Sequence, residues 1–153
     1  MSYRKLLIPV DFSPCSTEAY RTGLSLARQF GAEVIVLHVT DSRILAVLED
    51  LGGPSEDAKR AFEKKARLEF RSFLSKLPSD IKIRKVLASG IPFQEIVKVT
   101  RLENAELIIM GRSGGTGELE KIFFGGTAEK VIRLAPCAVL TVPVTQQGPG
   151  GAG

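Results

Sequence analysis

The chain has 153 residues, a length that suits one domain with a substantial core, and its 44% hydrophobic and 25% charged residues are ordinary for a globular protein. No apolar run reaches the length of a membrane span, and a strand pattern begins at Lys5 without a preceding signal peptide. The net charge of +4 is small and spread along the chain, so neither a membrane nor a nucleic acid is predicted as a partner.

The first part of the chain predicts two buried strands joined by a helix. Residues 5–11 predict a strand buried on both faces, because 6–10 are apolar at consecutive positions. Ser13-Pro14 predicts a helix start, and Gly31 predicts the end of that helix. Residues 34–39 predict the second strand.

The middle of the chain predicts an irregular segment, a long helix and a third strand. Residues 40–54 show only a short apolar patch and are predicted to be irregular, whereas 55–77 predict a helix with one apolar face. Residues 81–87 alternate between apolar and basic side chains, which predicts an edge strand with one wet face.

The last part of the chain predicts two more strands and two more helices. Pro92 lies in the first turn of one helix, residues 107–110 predict the fourth strand, and 128–134 predict the next helix. Residues 138–144 predict the fifth strand. Residues 146–153 are rich in glycine and proline and predict a disordered tail, which leaves residues 1–145 as the domain.

Strands that alternate with helices predict a doubly wound α/β fold, in which helices cover both faces of a parallel sheet. Ligands of such sheets bind beyond the carboxyl ends of the strands, where the strand order reverses. Asp11 ends the first strand, Val39 ends the second, and Gly111 follows the fourth. If the first strand lies beside the fourth, these residues converge on one crevice.

The fourth strand leads into a glycine-rich loop, residues 111–127, which is followed by a helix. Glycine lets the backbone approach an anion closely, and a helix N-terminus attracts one. A Walker A loop and a dinucleotide-binding fingerprint both fail to fit, because Gly125-Gly126-Thr127 has no lysine and Gly115-Thr116-Gly117 is followed three residues later by Glu120. The alternative is a plain surface loop, but a loop of this length is uncommon without a task.

Four separated segments of the chain resemble the universal stress protein family, over residues 3–144. They are Ile8-Pro9-Val10-Asp11-Phe12-Ser13, Leu37-His38-Val39, Gly90-Ile91-Pro92, and the stretch from Met110-Gly111-Arg112-Ser113-Gly114 through Gly125-Gly126 to Ala135-Pro136-Cys137-Ala138-Val139-Leu140. The resemblance implies a five-stranded, adenine-nucleotide alpha-hydrolase-like fold with strand order 3-2-1-4-5. It also implies a homodimer formed through the last strand, and a division into one subgroup that binds ATP and one that does not.

The resemblance also implies roles for individual residues. Asp11 matches a carboxylate that contacts the ribose, Pro9 and Val10 match backbone that frames the base, and Val39 matches a residue that lines the adenine pocket. The positions that match the phosphate cradle are Met110, Gly111, Arg112, Ser113, Gly114, Gly125, Gly126 and Thr127.

The phosphate cradle departs from the family pattern G-x2-G-x9-G-[Ser/Thr] at two points. Ten residues separate Gly114 from Gly125, one more than in the pattern, and Gly126 stands where the pattern has a hydroxyl side chain. Taken alone, Asp11 could also be a helix-capping carboxylate, since it precedes the first helix.

The resemblance and the residues together predict a dimeric stress-response sensor or regulator in the cytoplasm, where Cys15 and Cys137 would be free thiols. The expected ligand is ATP, or else ADP or AMP, with Mg²⁺ as a candidate companion ion. We expect no catalytic residue and no metal-ligand set, because the single histidine, His38, lies in an apolar strand as a core residue would. Two alternatives remain open, namely an interaction module that binds no nucleotide and a slow ATP hydrolase.

Overall fold

The computed structural model describes residues 2–53, 56–113 and 125–144, and within them strands and helices alternate along most of the chain. The strands are β1 (Lys5–Pro9), β2 (Glu33–Asp41), β3 (Ile83–Gly90), β4 (Leu107–Gly111) and β5 (Ala138–Val142). The helices are α1 (Pro14–Phe30), α2 (Ser42–Asp50), α3 (Glu56–Lys76), α4 (Pro92–Glu103) and α5 (Gly126–Leu134). The predicted tail, residues 146–153, and the loop residue Gly114 lie outside the described residues.

The strands form one parallel sheet in the order β3-β2-β1-β4-β5. This order confirms the predicted doubly wound fold. It places β1 at the centre of the sheet and β3 and β5 at its edges, so the predicted edge position of the third strand is also confirmed. The order reverses between β1 and β4, and a crevice therefore opens beyond the carboxyl ends of these two strands.

The core lies on both sides of β1, and adjacent residues of this strand serve opposite layers. Leu6 packs with Tyr20 and Phe73 on the α1 and α3 side, whereas Leu7 packs with Ile96 on the α4 and α5 side. Leu6 and Leu7 are both fully buried. Because side chains alternate across a strand, a strand buried on both faces needs an apolar residue at every position, which explains the unbroken pattern in the sequence.

The structure corrects the predictions in several places. Strand β2 runs to Asp41 rather than ending at Val39, β3 covers Ile83–Gly90 rather than 81–87, and β5 ends at Val142 rather than at residue 144. Helix α2 occupies part of the segment that was predicted to be irregular, and β1 ends at Pro9 rather than at Asp11. The apolar patch of this segment is in fact a short helical stripe, since Ile44, Val47 and Leu48 stand at helical spacing, but the stripe is exposed and α2 buries none of its residues. Beyond the end of β1 the Val10 N–H still donates to the Leu37 carbonyl, and Phe12 then adopts a left-handed conformation with φ of 68°.

Within the described residues, no helix combines the length and the apolar character that crossing a bilayer would require.

Candidate functional site

A cleft of about 390 Å³ lies at the carboxyl end of the sheet, where the strand order reverses. The predicted site residues that line it are Pro9, Val10, Asp11, Val39, Met110, Gly111, Ser113, Gly125, Gly126 and Thr127. Leu37, Pro92 and Ile96 add apolar side chains to its wall. The fold therefore gathers into one place residues that are far apart in the sequence. Arg112 is absent from the lining, and Gly114 lies outside the described residues.

The turn from β1 into α1 presents Asp11 at the cleft. The Asp11 carboxylate accepts a hydrogen bond from the Ser13 backbone N–H at 3.0 Å, and the residue remains exposed. The helix cap itself is Ser13, whose Oγ accepts from the Ser16 N–H at 3.2 Å. The structure thus gives the capping role to Ser13, and the Asp11 carboxylate keeps acceptor capacity for a ligand.

His38 supports this turn from the neighbouring strand. Its Nδ1 lies 2.8 Å from the carbonyl oxygen of Val10, and since a carbonyl can only accept, Nδ1 carries the proton. The imidazole also stacks on the ring of Phe12, with centroids 4.3 Å apart and planes inclined by 26°. His38 is half-buried and hydrogen-bonded, as predicted for a satisfied core histidine.

Packing against α1 requires a glycine at position 111, in addition to the place of this residue in the cleft lining. A Cβ at this position would lie 2.7 Å from the Cβ of Cys15 and 2.9 Å from its backbone carbonyl carbon. The end of β4 therefore approaches the N-terminus of α1 too closely for any side chain. The buried Cys15 thiol lies 3.5 Å from the hydroxyl of Ser113, which fixes the first residues after β4 against the same helix.

The N-terminus of α5 forms the opposite side of the cleft. Gly125 is its N-cap residue and supplies no side-chain cap. Within residues 2–53, 56–113 and 125–144, no atom other than those of the chain neighbours and the helix's own backbone lies within 4 Å of the point where a Cβ on Gly126 would be. Arg112 joins the parts through its backbone, because its N–H donates to Val142 and its carbonyl accepts from the Gly125 N–H, both at 2.9 Å. The first turn of α5 thus offers backbone N–H donors and the positive end of a helix dipole to an anion.

Asp41 and Arg43 line the outer part of the cleft and were not among the predicted site residues. Asp41 caps α2 by accepting from the Arg43 backbone N–H at 3.0 Å, and its Oδ2 lies 2.6 Å from Nη2 of Arg43. The hydrogen bond from the Arg43 side chain holds the pKa of the Asp41 carboxyl below its usual value, so this carboxyl stays ionised at neutral pH. An aspartate directly before a helix signals a cap, but that signal requires α2 to be recognised first.

Among the residues that the structure describes, no group of three or more histidine, cysteine, aspartate or glutamate side chains is placed to hold a metal ion.

The fold and the cleft together define a doubly wound α/β protein with its crevice at the switch point of the sheet. The chain belongs to the universal stress protein family, whose model matches residues 2–143. The resemblance of the four sequence segments to this family is thereby confirmed.

Relatives and solved structures agree with this assignment. Universal stress protein MJ0531 of Methanocaldococcus jannaschii is 35% identical over 145 residues, which cover 92% of this chain and 82% of that protein. The solved structure of MJ0577 from the same organism has a TM-score of 0.77 at 31% identity and covers 93% of this chain and 96% of its own. A universal stress protein from Archaeoglobus fulgidus, solved in complex with dAMP, has a TM-score of 0.59 at 22% identity and covers 93% and 99%, a likeness of fold.

Proposed function

We propose that this protein is a cytoplasmic stress-response regulator that binds an adenine nucleotide, ATP foremost, in the cleft between β1 and β4. The observation that carries the proposal is the composition of the cleft. It combines an exposed carboxylate at Asp11, an apolar wall that includes Val39, and the helix N-terminus at Gly125. A nucleotide has three complementary parts. Its ribose hydroxyls can donate to the carboxylate, its flat base can pack on the apolar wall, and its anionic phosphates suit the helix N-terminus.

The ligand would cross the end of the sheet from β2 to β4. Its base would pack against Val10 and Val39, and its ribose would donate to Asp11. Its phosphates would lie at residues 125–127 and accept from the N–H groups of Gly126 and Thr127, since the Gly125 N–H already donates to the Arg112 carbonyl. The cleft volume of about 390 Å³ lies within the range of about 300–1,000 Å³ that is usual for small-molecule sites. Any Mg²⁺ would be held largely by the phosphates and by water, as is common for this ion.

The dAMP complex of the Archaeoglobus fulgidus protein supports the choice of ligand class, since a protein of this fold accepts an adenine nucleotide. Regulation rather than hydrolysis is proposed because the carboxylates among the described lining residues have other tasks. Asp11 is assigned to the ribose, and Asp41 is paired with Arg43 at the start of α2, so neither is assigned as a base beside the terminal phosphate.

Direct binding tests the proposal. Native mass spectrometry of the purified protein should show a co-purified adenine nucleotide, and calorimetry should show ATP binding with GTP as the control ligand. If no adenine nucleotide binds at millimolar concentration, the proposal is wrong.

The main alternative is an interaction module of the same fold that binds no nucleotide, and Gly126 is the residue that favours it. The family pattern has a hydroxyl at this position, which would be a further phosphate donor.

Gly126→Ser should therefore raise ATP affinity, and should raise it more than AMP affinity. A hydrogen bond to a charged group contributes roughly 1.5–3 kcal/mol, so a gain on the order of tenfold is expected. Among the described residues, no atom outside the chain neighbours and the helix's own backbone lies within 4 Å of the new Cβ. Calorimetry with both nucleotides measures the effect, and Gly126→Ala is the matched control because it adds the Cβ without the hydroxyl. Equal gains for the two variants would contradict the hydroxyl argument.

We further propose that the regulator is a homodimer paired through β5. This strand lies at the edge of the sheet with β4 as its neighbour, and its Leu140 is 37% exposed. Ile132 and Leu134 on the adjacent helix α5 are also exposed. An uncovered apolar edge strand favours pairing with another chain.

Leu140→Arg should convert the dimer to a monomer, because it places a charge in the proposed interface. Sedimentation at micromolar concentration should report twice the chain mass for the unsubstituted protein and one chain mass for the variant. Leu87→Arg is the matched control, since Leu87 lies on the opposite edge strand β3 and is 39% exposed. A monomeric unsubstituted protein, or equal effects of the two variants, would exclude pairing through β5.

A further inference from the structure

We infer that His38 is a positioning residue for the ligand, because it fixes the turn that presents the Asp11 carboxylate to the cleft. The inference rests on the proposed nucleotide binding at Asp11. His38 is absent from the cleft lining, so its effect on a ligand would pass through the residues on either side of Asp11.

The imidazole of His38 contacts both chain neighbours of Asp11. On one side, Nδ1 donates to the carbonyl of Val10 at 2.8 Å. On the other side, the ring stacks on Phe12 with centroids 4.3 Å apart. One side chain thus restrains the position of the backbone before Asp11 and the conformation after it.

The conformation after Asp11 is one that needs such support. Phe12 has a φ of 68°, in the left-handed region. For a residue other than glycine, this conformation costs about 1–2 kcal/mol of free energy, and it persists only where the surrounding structure enforces it. Phe12 is enforced by its stack on His38 and by Phe73, whose ring centroid lies 5.5 Å away.

Of the two consecutive residues of the turn, only Asp11 belongs to the cleft lining. Phe12 packs against the core cluster below the sheet end, whereas Asp11 lies in the cleft lining. The direction of the Asp11 carboxylate therefore depends on the backbone conformation of this turn. If the contacts of His38 with Val10 and Phe12 are removed, the Asp11 side chain should sample other orientations, and the ligand should lose part of its hydrogen bonding to the carboxylate.

Three substitutions separate the two functions of His38. His38→Phe keeps an aromatic ring but removes the donor, His38→Asn keeps a donor at the position of Nδ1 but removes the ring, and His38→Ala removes both. By calorimetry, His38→Phe and His38→Asn should each lower ATP affinity on the order of two- to tenfold, which is the range of one ordinary hydrogen bond. His38→Ala should lower it further.

A matched control distinguishes positioning from general support of the core. Tyr20 lies in the core cluster against which Phe12 packs. Its hydroxyl donates to the carbonyl of Leu77 at 3.3 Å, and neither residue belongs to the cleft lining. Tyr20→Phe should lower thermal stability and leave ATP affinity unchanged. If His38 were merely a core residue, its variants would behave in the same way as Tyr20→Phe.

The decisive measurement is made in an Asp11→Ala background. Because His38 acts mainly through Asp11, His38→Phe should cause a clearly smaller loss of ATP affinity there than in the unsubstituted protein, the remainder being its effect on Val10. Should His38→Phe fail to fold, Phe12→Leu tests the same contact from the other side, with the same expected loss and the same dependence on Asp11. Two results would overturn this inference alone. In the first, Asp11→Ala lowers ATP affinity but the His38 and Phe12 variants leave it unchanged. In the second, His38→Phe lowers ATP affinity as much in the Asp11→Ala background as in the unsubstituted protein. No adenine nucleotide binding by the unsubstituted protein overturns both the inference and the proposed function.

Discussion

Gly111→Ala should destabilise the protein by about 1–3 kcal/mol, the usual cost of forcing extra volume into a packed site. The new Cβ would lie 2.7 Å from the Cβ of Cys15 and 2.9 Å from the Cys15 carbonyl carbon. Neither atom is the end of a flexible side chain, so either β4 or the first turn of α1 must move. Urea denaturation of the purified variant measures the change in the free energy of unfolding.

The matched control is the same substitution at Gly126, which lies across the cleft. In the part of the chain that the structure describes, no neighbouring element lies within 4 Å of a Cβ there, and the residue is the first of helix α5. Gly126→Ala should therefore be neutral, or stabilise by about 0.4–1 kcal/mol through the lower entropy of the unfolded chain. A similar loss of stability in both variants would mean that packing against Cys15 is not what requires a glycine at position 111.

This contrast matters for how the loop motif is interpreted. The family resemblance assigns both glycines to a phosphate cradle, yet the structure gives them different physical reasons. Gly111 is required by the close approach of β4 and α1, whereas Gly126 leaves open space at a helix N-terminus. A glycine pattern in a sequence therefore mixes residues needed for folding with residues that leave room for a ligand.

The sheet and its crevice could be predicted because their signals are local. The unbroken apolar run of β1 follows from burial on both faces, and the alternating basic and apolar residues of β3 follow from its edge position. The switch point then follows from strand order, which the family resemblance supplied and the structure confirms. The carboxyl ends of parallel strands lie at one edge, so Asp11 and Val39 could be placed at the same cleft in advance.

The parts that could not be predicted depend on contacts between distant segments. The left-handed turn at Phe12 is supported by His38, which lies in another strand, and no local pattern marks it. Helix α2 is a different case, because Ile44, Val47 and Leu48 do repeat at helical spacing but form a short stripe that buries nothing. The pair of Asp41 and Arg43 can be identified only once this helix is recognised. The requirement for glycine at position 111 comes from Cys15, and it becomes visible only when β4 and α1 are packed together.

Asp11→Ala should lower ATP affinity by about tenfold to a hundredfold, because a hydrogen bond to a charged group contributes roughly 1.5–3 kcal/mol. The carboxylate is exposed at the cleft, and one hydrogen bond from the Ser13 N–H holds it in place. Removing it takes away the acceptor proposed for the ribose hydroxyls. Calorimetry measures the affinity, and thermal denaturation checks that the loss of the Ser13 contact has not unfolded the turn.

A comparison of ligands isolates the ribose contact from any wider effect of the substitution. The unsubstituted protein should bind ATP more tightly than 2′,3′-dideoxy-ATP, which has no ribose hydroxyls to donate. Asp11→Ala should bind the two nucleotides equally, because the partner of those hydroxyls is gone. Asp11→Asn should fall between, since a neutral amide oxygen still accepts but without charge. If Asp11→Ala weakened both nucleotides by the same factor, the carboxylate would be acting on the turn or on the field of the cleft, and the ribose would have to be bound elsewhere.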